Sequence, residues 1–180
     1  LDVGPGACID STNTQNINLA TSKSRNLAVL WGEGDAQDGG LDDTSTPQPG
    51  TDTWYFVFAI YDPDAMEADI LFSKSMDNPT LTSENLTRFT KFRRIGAIRT
   101  DASGYIIPFK QYGDKFIWVD PPVDVTNQAL SNAAGTTIKL DYVPVGWSVE
   151  ALLIASVNNA STAGYAKLFD YGMTGLAPTA

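Results

Sequence analysis

The stretch that decides the fold is Thr53-Trp54-Tyr55-Phe56-Val57-Phe58-Ala59-Ile60-Tyr61. Aromatic and β-branched side chains of this kind are typical of β-strands, and Asp62-Pro63-Asp64 ends the run. Because its apolar residues do not alternate with polar ones, we expect both faces of the strand to be covered and the strand to be central in its sheet. The apolar run 68–73 follows after a short turn, so the two strands are predicted to form an antiparallel hairpin.

Strand patterns also dominate the rest of the chain, and no segment has the apolar spacing, start cap and stop signal of a helix. Further strands bounded by Gly, Pro, Asn or Asp are predicted over residues 3–9, 16–20, 27–31, 92–100, 105–111, 115–119, 136–142, 147–157 and 165–171. About eleven short strands indicate an all-β fold, and we expect an antiparallel, jelly-roll-like β-sandwich with little helix.

Local features refine this picture. Pro108 has no N–H, so its strand should lie at a sheet edge or carry a bulge, and Gly96 indicates a bulge or a close backbone approach.

Residues 74–90 are predicted to form a loop with one helical turn. We expect a single domain over residues 1–171 and a tail or linker over 172–180. The chain starts at Leu1 without a methionine or a signal peptide, which favours a processed or excised polypeptide.

The composition excludes several classes of partner. The formal net charge of the 180 residues is −9 and the sequence pI is about 4.3. An acidic domain repels phosphate backbones and anionic lipid heads, so we expect no nucleic-acid binding. No apolar run approaches the ~20 residues that span a bilayer, so no membrane insertion is expected. The sole cysteine, Cys8, allows no disulfide within the chain and is predicted to be a small buried residue.

The sequence lacks the residues of the commonest catalytic sites. It has no histidine, which removes the most frequent general base and the most frequent zinc ligand. It also has no glycine-rich phosphate-binding motif. The remaining option is a carboxylate pair, as in glycoside hydrolysis, with Asp69, Glu84, Asp114, Asp120 and Glu150 as candidates. Most of these acids fall at strand ends or in turns, where solvation alone explains them, and a solvent-facing or ion-paired position is the preferred interpretation of Glu150, so we predict that the protein is not an enzyme.

An acidic, glycine-rich loop spans residues 32–43. Its carboxylates Asp35, Asp38 and Asp42 are the candidate ligands for a Ca²⁺ ion, which prefers oxygen donors. Their spacing does not match the helix-loop-helix calcium motif, and no helix pattern flanks the loop. A solvated loop without a metal or other cofactor is therefore the preferred interpretation.

Two groups of residues are candidates for contacts with a ligand or a subunit. Arg93 and Arg94 belong to a basic cluster with Lys91 and Arg99, and alternation along a strand should direct Arg93 and Arg94 to opposite faces. Such a strand suits ion pairing within this acidic domain or at a subunit interface. Among four tryptophans, Trp118 next to Pro121-Pro122 is the first candidate for contact with a ligand or a subunit.

Several segments, in this order, resemble a domain of bacteriophage tail-fibre and related virion proteins. The segments are Gly6–Thr14, Ile17–Leu19, Gly39–Asp42, Thr53–Phe58, Asp69–Ser73, Pro79–Leu81, Phe92–Gly96, Arg99–Asp101, Ile107, Phe109, Gln111 and Gly113-Asp114. They cover roughly the first two-thirds of the chain, and such an ordered set is unusual by chance. Thr82 stands where the family pattern has a second proline, and Cys8 where it has a polar residue.

The resemblance implies a structural or receptor-binding part of the phage particle, assembled as a homotrimer with other virion proteins. It implies no catalytic residue. Host attachment could involve surface glycans, so a lectin-like carbohydrate-binding module is an alternative, for which a row of exposed aromatic rings is expected. A tailspike-type glycan-degrading enzyme is a further alternative, and it requires two carboxylates ~5–9.5 Å apart in a cleft.

Overall fold

The computed structural model describes residues 1–32, 38–42, 49–113, 115–126, 129, 136–144 and 151–156. These residues form strands and no helix, which confirms the predicted all-β class. The strands are β1 (Asp2–Val3), β2 (Gly6–Ile9), β3 (Asn16–Leu19), β4 (Lys23–Ser24), β5 (Asn26–Leu30), β6 (Gly39–Leu41), β7 (Trp54–Asp62), β8 (Glu67–Ser73), β9 (Lys91–Arg99), β10 (Phe109–Tyr112) and β11 (Lys115–Trp118).

The chain divides into two compact units, Leu1–Pro122 and Val123–Ala180, and the strands listed above all belong to the first. The predicted end of a single domain at residue 171 and the tail 172–180 lie outside the described residues, so that prediction stays open. No helix in the described part of the chain has the length and apolar character needed to span a bilayer.

The main sheet has five strands in the order β5-β6-β8-β7-β9. β7 pairs with β8 and with β9 in antiparallel register, so the predicted hairpin and the internal position of β7 are confirmed. β6 runs parallel to both β5 and β8, so the sheet is mixed rather than wholly antiparallel. Three two-stranded sheets accompany it, β1–β4, β2–β3 and β10–β11. A jelly-roll-like sandwich remains a prediction.

Strand β7 supplies apolar side chains to two separate hydrophobic layers. Tyr55, Val57 and Ala59 pack in one layer with residues of the β2–β3 hairpin, including Ile17. Phe56, Phe58 and Ile60 pack in the other with Leu86 and Phe89. Each fully buried side chain of this size stabilises the fold by about 1.5–3 kcal/mol. Both faces of β7 are therefore covered, as the uninterrupted apolar run predicts.

The second layer is closed by the loop at residues 74–90. Leu86 and Thr87 donate backbone hydrogen bonds to the carbonyl of Ser83, at 2.9 and 3.0 Å, and this turn directs Leu86 and Phe89 into the layer. The predicted loop is confirmed, and the i→i+4 bond from Thr87 to Ser83 makes the one helical turn predicted within it, which does not extend into a helix. A polar segment thus carries the two apolar residues that cover one face of the sheet.

Several predicted strands differ from the structure. Pro108 divides the segment 105–111, because Ile106 forms an isolated bridge to Thr100 and β10 starts only at Phe109. The strand predicted over 136–142 is wrong, since the backbone N–H groups of Asp141 and Tyr142 donate to the Asp124 carboxylate at 2.6 and 3.1 Å instead of entering a ladder. Residues 151–156 also lie in no strand. The rest of segment 147–157 and segment 165–171 lie outside the described residues.

A buried ion pair joins Arg25, the residue before β5, to Asp69 of β8 within the main sheet. Arg25 donates from Nε to Oδ1 of Asp69 at 2.9 Å, and its Nη2 bonds the second carboxylate oxygen. The side chains are 13% and 3% exposed, and the Arg25 guanidinium lies 5.4 Å from the centre of the Trp31 ring. The bidentate geometry compensates the cost of removing both charges from water.

The turn between β2 and β3 is organised by Asp10. Its carboxylate accepts hydrogen bonds from the Thr12 hydroxyl and from the backbone N–H groups of Thr12, Thr14 and Gln15. The Thr12 hydroxyl and then these N–H groups hold the pKa of Asp10 well below its ordinary value, against the opposing effect of burial. The next residue, Ser11, donates its N–H to the carbonyl of Phe92 at 2.8 Å, which fixes the turn to β9.

We predict that Arg25→Met lowers the free energy of unfolding by about 3 kcal/mol, because the buried Asp69 carboxylate loses both hydrogen bonds from Arg25 and keeps only Lys23, at 4.0 Å, as a cation. Urea unfolding followed by tryptophan fluorescence measures the change. The matched control is Glu67→Gln, which removes an ion pair to Arg88 whose side chains are 44% and 43% exposed and should cost less than ~1 kcal/mol. Equal stability of Arg25→Met and the wild type would contradict the assignment of this pair.

We also predict that Asp10 makes the fold sensitive to acid. Its folded pKa lies below its unfolded pKa of about 4, so its contribution is complete above pH ~4 and is lost as the pH falls toward the lower, folded value. The Asp10→Asn variant should therefore lose less stability than the wild type between about pH 6 and pH 3. Parallel pH dependences in urea unfolding would count against the prediction, and Asp2→Asn is the exposed control.

Candidate interaction surface

The β10–β11 hairpin has two chemically different faces. Its cross-strand pairs are Phe109 with Trp118, Lys110 with Ile117, Gln111 with Phe116, and Tyr112 with Lys115. Gly113 takes a φ of 56° in the turn, a left-handed conformation that glycine adopts without strain, and Asp114 lies outside the described residues. Because side chains alternate along a strand, one face carries Phe109, Gln111, Phe116 and Trp118, and the other carries Lys110, Tyr112, Lys115 and Ile117.

The inner face of the hairpin is an aromatic cluster. The rings of Phe109 and Phe116 stack with centroids 4.7 Å apart, and Trp118 meets Phe116 edge-on at 4.7 Å. Trp118 also lies 6.1 Å from Trp54, which belongs to β7. The ring of Trp118 is therefore half-buried and links the hairpin to the main sheet, and its predicted contact with a ligand or subunit stays a prediction.

Gln111 fixes the hairpin against β9. Its Nε2 donates to the carbonyl of Ile95 at 3.0 Å and to that of Gly113 at 3.1 Å. A Cβ at position 96 would lie 2.8 Å from the Gln111 Oε1, so a larger residue there would displace the Gln111 amide from this close approach. The register of β7 with β9 shifts at the same place, between Arg94 and Gly96. Both features predicted for Gly96, the bulge and the close approach, are confirmed.

The outer edge of β9 is closed by three different elements. The carbonyl of Phe92 accepts from the N–H of Ser11, that of Ile95 from the Gln111 side chain, and that of Arg99 from the N–H of Ile107 at 2.9 Å. An open edge strand is a site for unspecific strand pairing, and capped carbonyls reduce this risk. Contacts with other molecules are therefore better served by the hairpin than by β9 itself.

The outer face of the hairpin exposes cations and apolar groups in alternation. Tyr112 is 69% and Ile117 is 52% exposed, and Lys110 and Lys115 are exposed as well. In the cross-strand register, Lys110 lies opposite Ile117, and Tyr112 lies opposite Lys115. Each cation thus has an apolar neighbour both across the hairpin and two residues along its strand. We call these four residues the hairpin face.

The lysines of the hairpin face differ from most other cations of the described chain. Ion pairs hold Lys23, Arg25, Arg88, Lys91, Arg99 and Lys139. Lys74 lies 5.7 Å from the centre of the Tyr55 ring. Within the described residues, Lys110, Lys115 and the exposed Arg93 take part in no ion pair within 4.0 Å. Among the described residues, no carboxylate therefore neutralises these three cations of an acidic chain.

Arg93 and Arg94 lie on opposite faces of β9, as predicted. Arg94 pairs with Phe58 in register, donates to the carbonyl of Met76 at 2.9 Å and lies 5.5 Å from the Phe56 ring centre. Burial lowers the pKa of its guanidinium, an effect that Asp77 opposes. Arg94 thus anchors the 74–90 loop, whereas Arg93 is exposed.

The charge of Arg93 acts on the half-buried thiol of Cys8 in β2. Burial raises the pKa of this thiol, and the positive charge of Arg93 acts in the opposite direction. Cys8 also packs at the margin of the first hydrophobic layer. Arg93 therefore faces the side of the sheet that the β2–β3 hairpin covers, and Cys8 is partly rather than fully buried.

The candidate calcium ligands do not form a cluster in the described chain. Asp42 is fully buried and accepts the N–H of Thr80 at 3.1 Å, Asp38 is partly buried, and Asp35 lies outside the described residues. No group of three or more acidic or cysteine side chains within the described residues is placed to hold a metal ion. The calcium site stays a prediction.

Three of the five acids considered for catalysis lie in the described part of the chain. Asp69 is buried and engaged by Arg25, and its Oδ1 also accepts the N–H of Ile70 at 2.7 Å. Glu84 and Asp120 are exposed, whereas Asp114 and Glu150 lie outside the described residues. Of the three described candidates, only Asp69 is buried, and a structural ion pair occupies it.

The sequence reasoning missed the hairpin face. It predicted the strands 105–111 and 115–119, but it selected Trp118 rather than its outward neighbours. The signal was present, because Lys110 and Tyr112 on one side of the turn and Lys115 and Ile117 on the other share one period-two face.

We predict that Trp118→Ala lowers the free energy of unfolding by about 2 kcal/mol, less than for a fully buried tryptophan because its side chain is only partly buried. Ile117→Ala, the neighbour on the opposite face, should change it by less than ~0.5 kcal/mol. Chemical unfolding of both variants measures the difference. A Trp118→Ala protein as stable as Ile117→Ala would show that the aromatic cluster does not hold the hairpin.

Comparison with known proteins adds no family assignment. No protein-family model matches the chain, and no curated protein and no solved structure matches it either. What the protein does is therefore inferred from the residues and contacts of this chain and from the resemblance that its ordered segments carry.

Proposed function

We propose that the protein is a structural component of a bacteriophage particle, a tail fibre, spike or head decoration, that works as a homotrimer in host attachment or assembly. It binds without catalysis and resides in the virion. The observation that carries this proposal is the hairpin face, an exposed tyrosine and isoleucine with two lysines that form no ion pair among the described residues, backed by an aromatic cluster. A fixed surface of this kind suits non-covalent contact, and trimerisation multiplies weak contacts through avidity.

Contacts among the segments that carry the resemblance support the proposal. A Cβ at Gly40 would lie 2.6 Å from the Phe72 ring, and the Asp42 carboxylate accepts the N–H of Thr80. A Cβ at Gly96 would likewise lie 2.8 Å from the Oε1 of Gln111. Each pair joins two segments of the phage-like pattern that are distant in sequence. Segments of the phage-like pattern that are distant in sequence are thus in contact in the fold, as expected for residues that specify a common domain.

The proposal is tested on phage particles from a host that carries the coding sequence. Particles purified on a density gradient are probed with an antiserum against the chain. The proposal predicts that the chain bands with the particles and that gold-labelled antibody marks one fixed position on them. The presence of the chain only in the particle-free fraction of the lysate would overturn it.

A carbohydrate-binding module is the second candidate. Two exposed tyrosines favour it, Tyr105 at 74% and Tyr112 at 69%, because exposed aromatic rings stack on sugars. Glycan-array binding that disappears in Tyr112→Ala but persists in Ile117→Ala would support this candidate. The two functions are compatible, since a fibre that attaches to a host can bind its surface glycans.

A further inference from the structure

We infer that the hairpin face, Lys110, Tyr112, Lys115 and Ile117, binds a second copy of this chain in a head-to-tail contact. This inference rests on the proposed trimeric particle component and names the surface through which its copies meet. The partner surface is acidic, and it differs from the hairpin face.

The exposed apolar groups indicate a surface that a partner covers. Tyr112 and Ile117 are more than half exposed, and Val119, which follows β11, is 59% exposed. Their backbone is fixed from behind by the Phe109, Phe116 and Trp118 rings and by Gln111. A preorganised surface loses little conformational entropy on binding, which favours association.

Charge complementarity identifies the partner. Lys110 and Lys115 lack ion-pair partners within the described residues, so an occupant that carries negative charge complements them. The chain itself has a formal net charge of −9, and a neighbouring copy supplies exposed carboxylates. Those in the described residues that form no ion pair are Asp2, Asp64, Asp77, Glu84 and Asp120. A second copy therefore provides counter-charge for lysines that form no ion pair among the described residues.

The charge pattern also decides the symmetry. A twofold contact would place the hairpin face of one copy against the same face of another, with lysines facing lysines, and like charges at close range oppose binding. A cationic face against an acidic face is instead a heterologous contact, which closes into a ring when the rotation allows it. Three copies around a threefold axis satisfy this requirement and agree with the proposed homotrimer.

The test measures the mass of the purified chain by sedimentation equilibrium, with variants that reverse the charge of the hairpin face. The wild type should be trimeric at about 0.05 M salt and dissociate toward about 1 M salt, where charges are screened. Lys110→Glu/Lys115→Glu should raise the dissociation constant at least ~100-fold. The matched control, Lys74→Glu/Lys139→Glu, makes the same change in net charge at two exposed lysines outside the hairpin and should stay trimeric.

Folding of each variant is checked by circular dichroism. If the charge-reversed variant unfolds, Lys110→Gln/Lys115→Gln replaces it. Its neutral side chains should still weaken association about tenfold. A trimer that survives in the folded hairpin variants overturns the inference and leaves the proposed function standing. A monomeric wild type whose hairpin face binds only an anionic glycan or another acidic protein also overturns it. Absence of the chain from particles would instead remove the proposed function.

Discussion

The need to cover both faces of β7 determines the architecture of the first unit. Every side chain from Tyr55 to Ile60 is apolar and buried, so neither face of this strand can meet water. One face is closed by the β2–β3 hairpin and the other by the 74–90 loop. The flanking strands β8 and β9 form backbone hydrogen bonds with both edges of β7. Two buried charged residues stabilise this arrangement. Asp10 organises the β2–β3 turn, and Arg25, just before β5, binds Asp69 of β8.

The parts of the fold that follow from local chemistry could be predicted from the sequence. The apolar run of β7, the hairpin to β8, the bulge at Gly96 and the interruption at Pro108 each depend on residue types within a few positions. β6 could not be predicted, because Gly39-Gly40-Leu41 has little strand propensity. Gly40 is required where the Phe72 ring lies too close for a Cβ. Residues 136–142 show the converse, since a period-two pattern forms no strand when a carboxylate takes the backbone N–H groups.

The alternation of side chains along the strands of the candidate surface could be predicted from the sequence. Which face is exposed, and which lysines form no ion pair, could not. Alternation placed Arg93 and Arg94 on opposite faces of β9, and it also placed Trp118 inward and its neighbour Ile117 outward. Which of these faces meets solvent depends on contacts distant in sequence, such as Trp118 with Trp54 and Gln111 with Ile95. The availability of Lys110 and Lys115 likewise depends on where the acids of the fold lie, and no local pattern contains that information.

Amide hydrogen exchange tests the central claim most directly, because it ranks the stability of each strand in the folded chain. If the two-sided packing of β7 holds the unit together, the amides of Tyr55–Ile60 exchange only through global unfolding and are the slowest in the protein. Amides of the β10–β11 hairpin, with its exposed outer face, should exchange at least ~100-fold faster. Amides of β7 that exchange as fast as those of the hairpin would contradict the account.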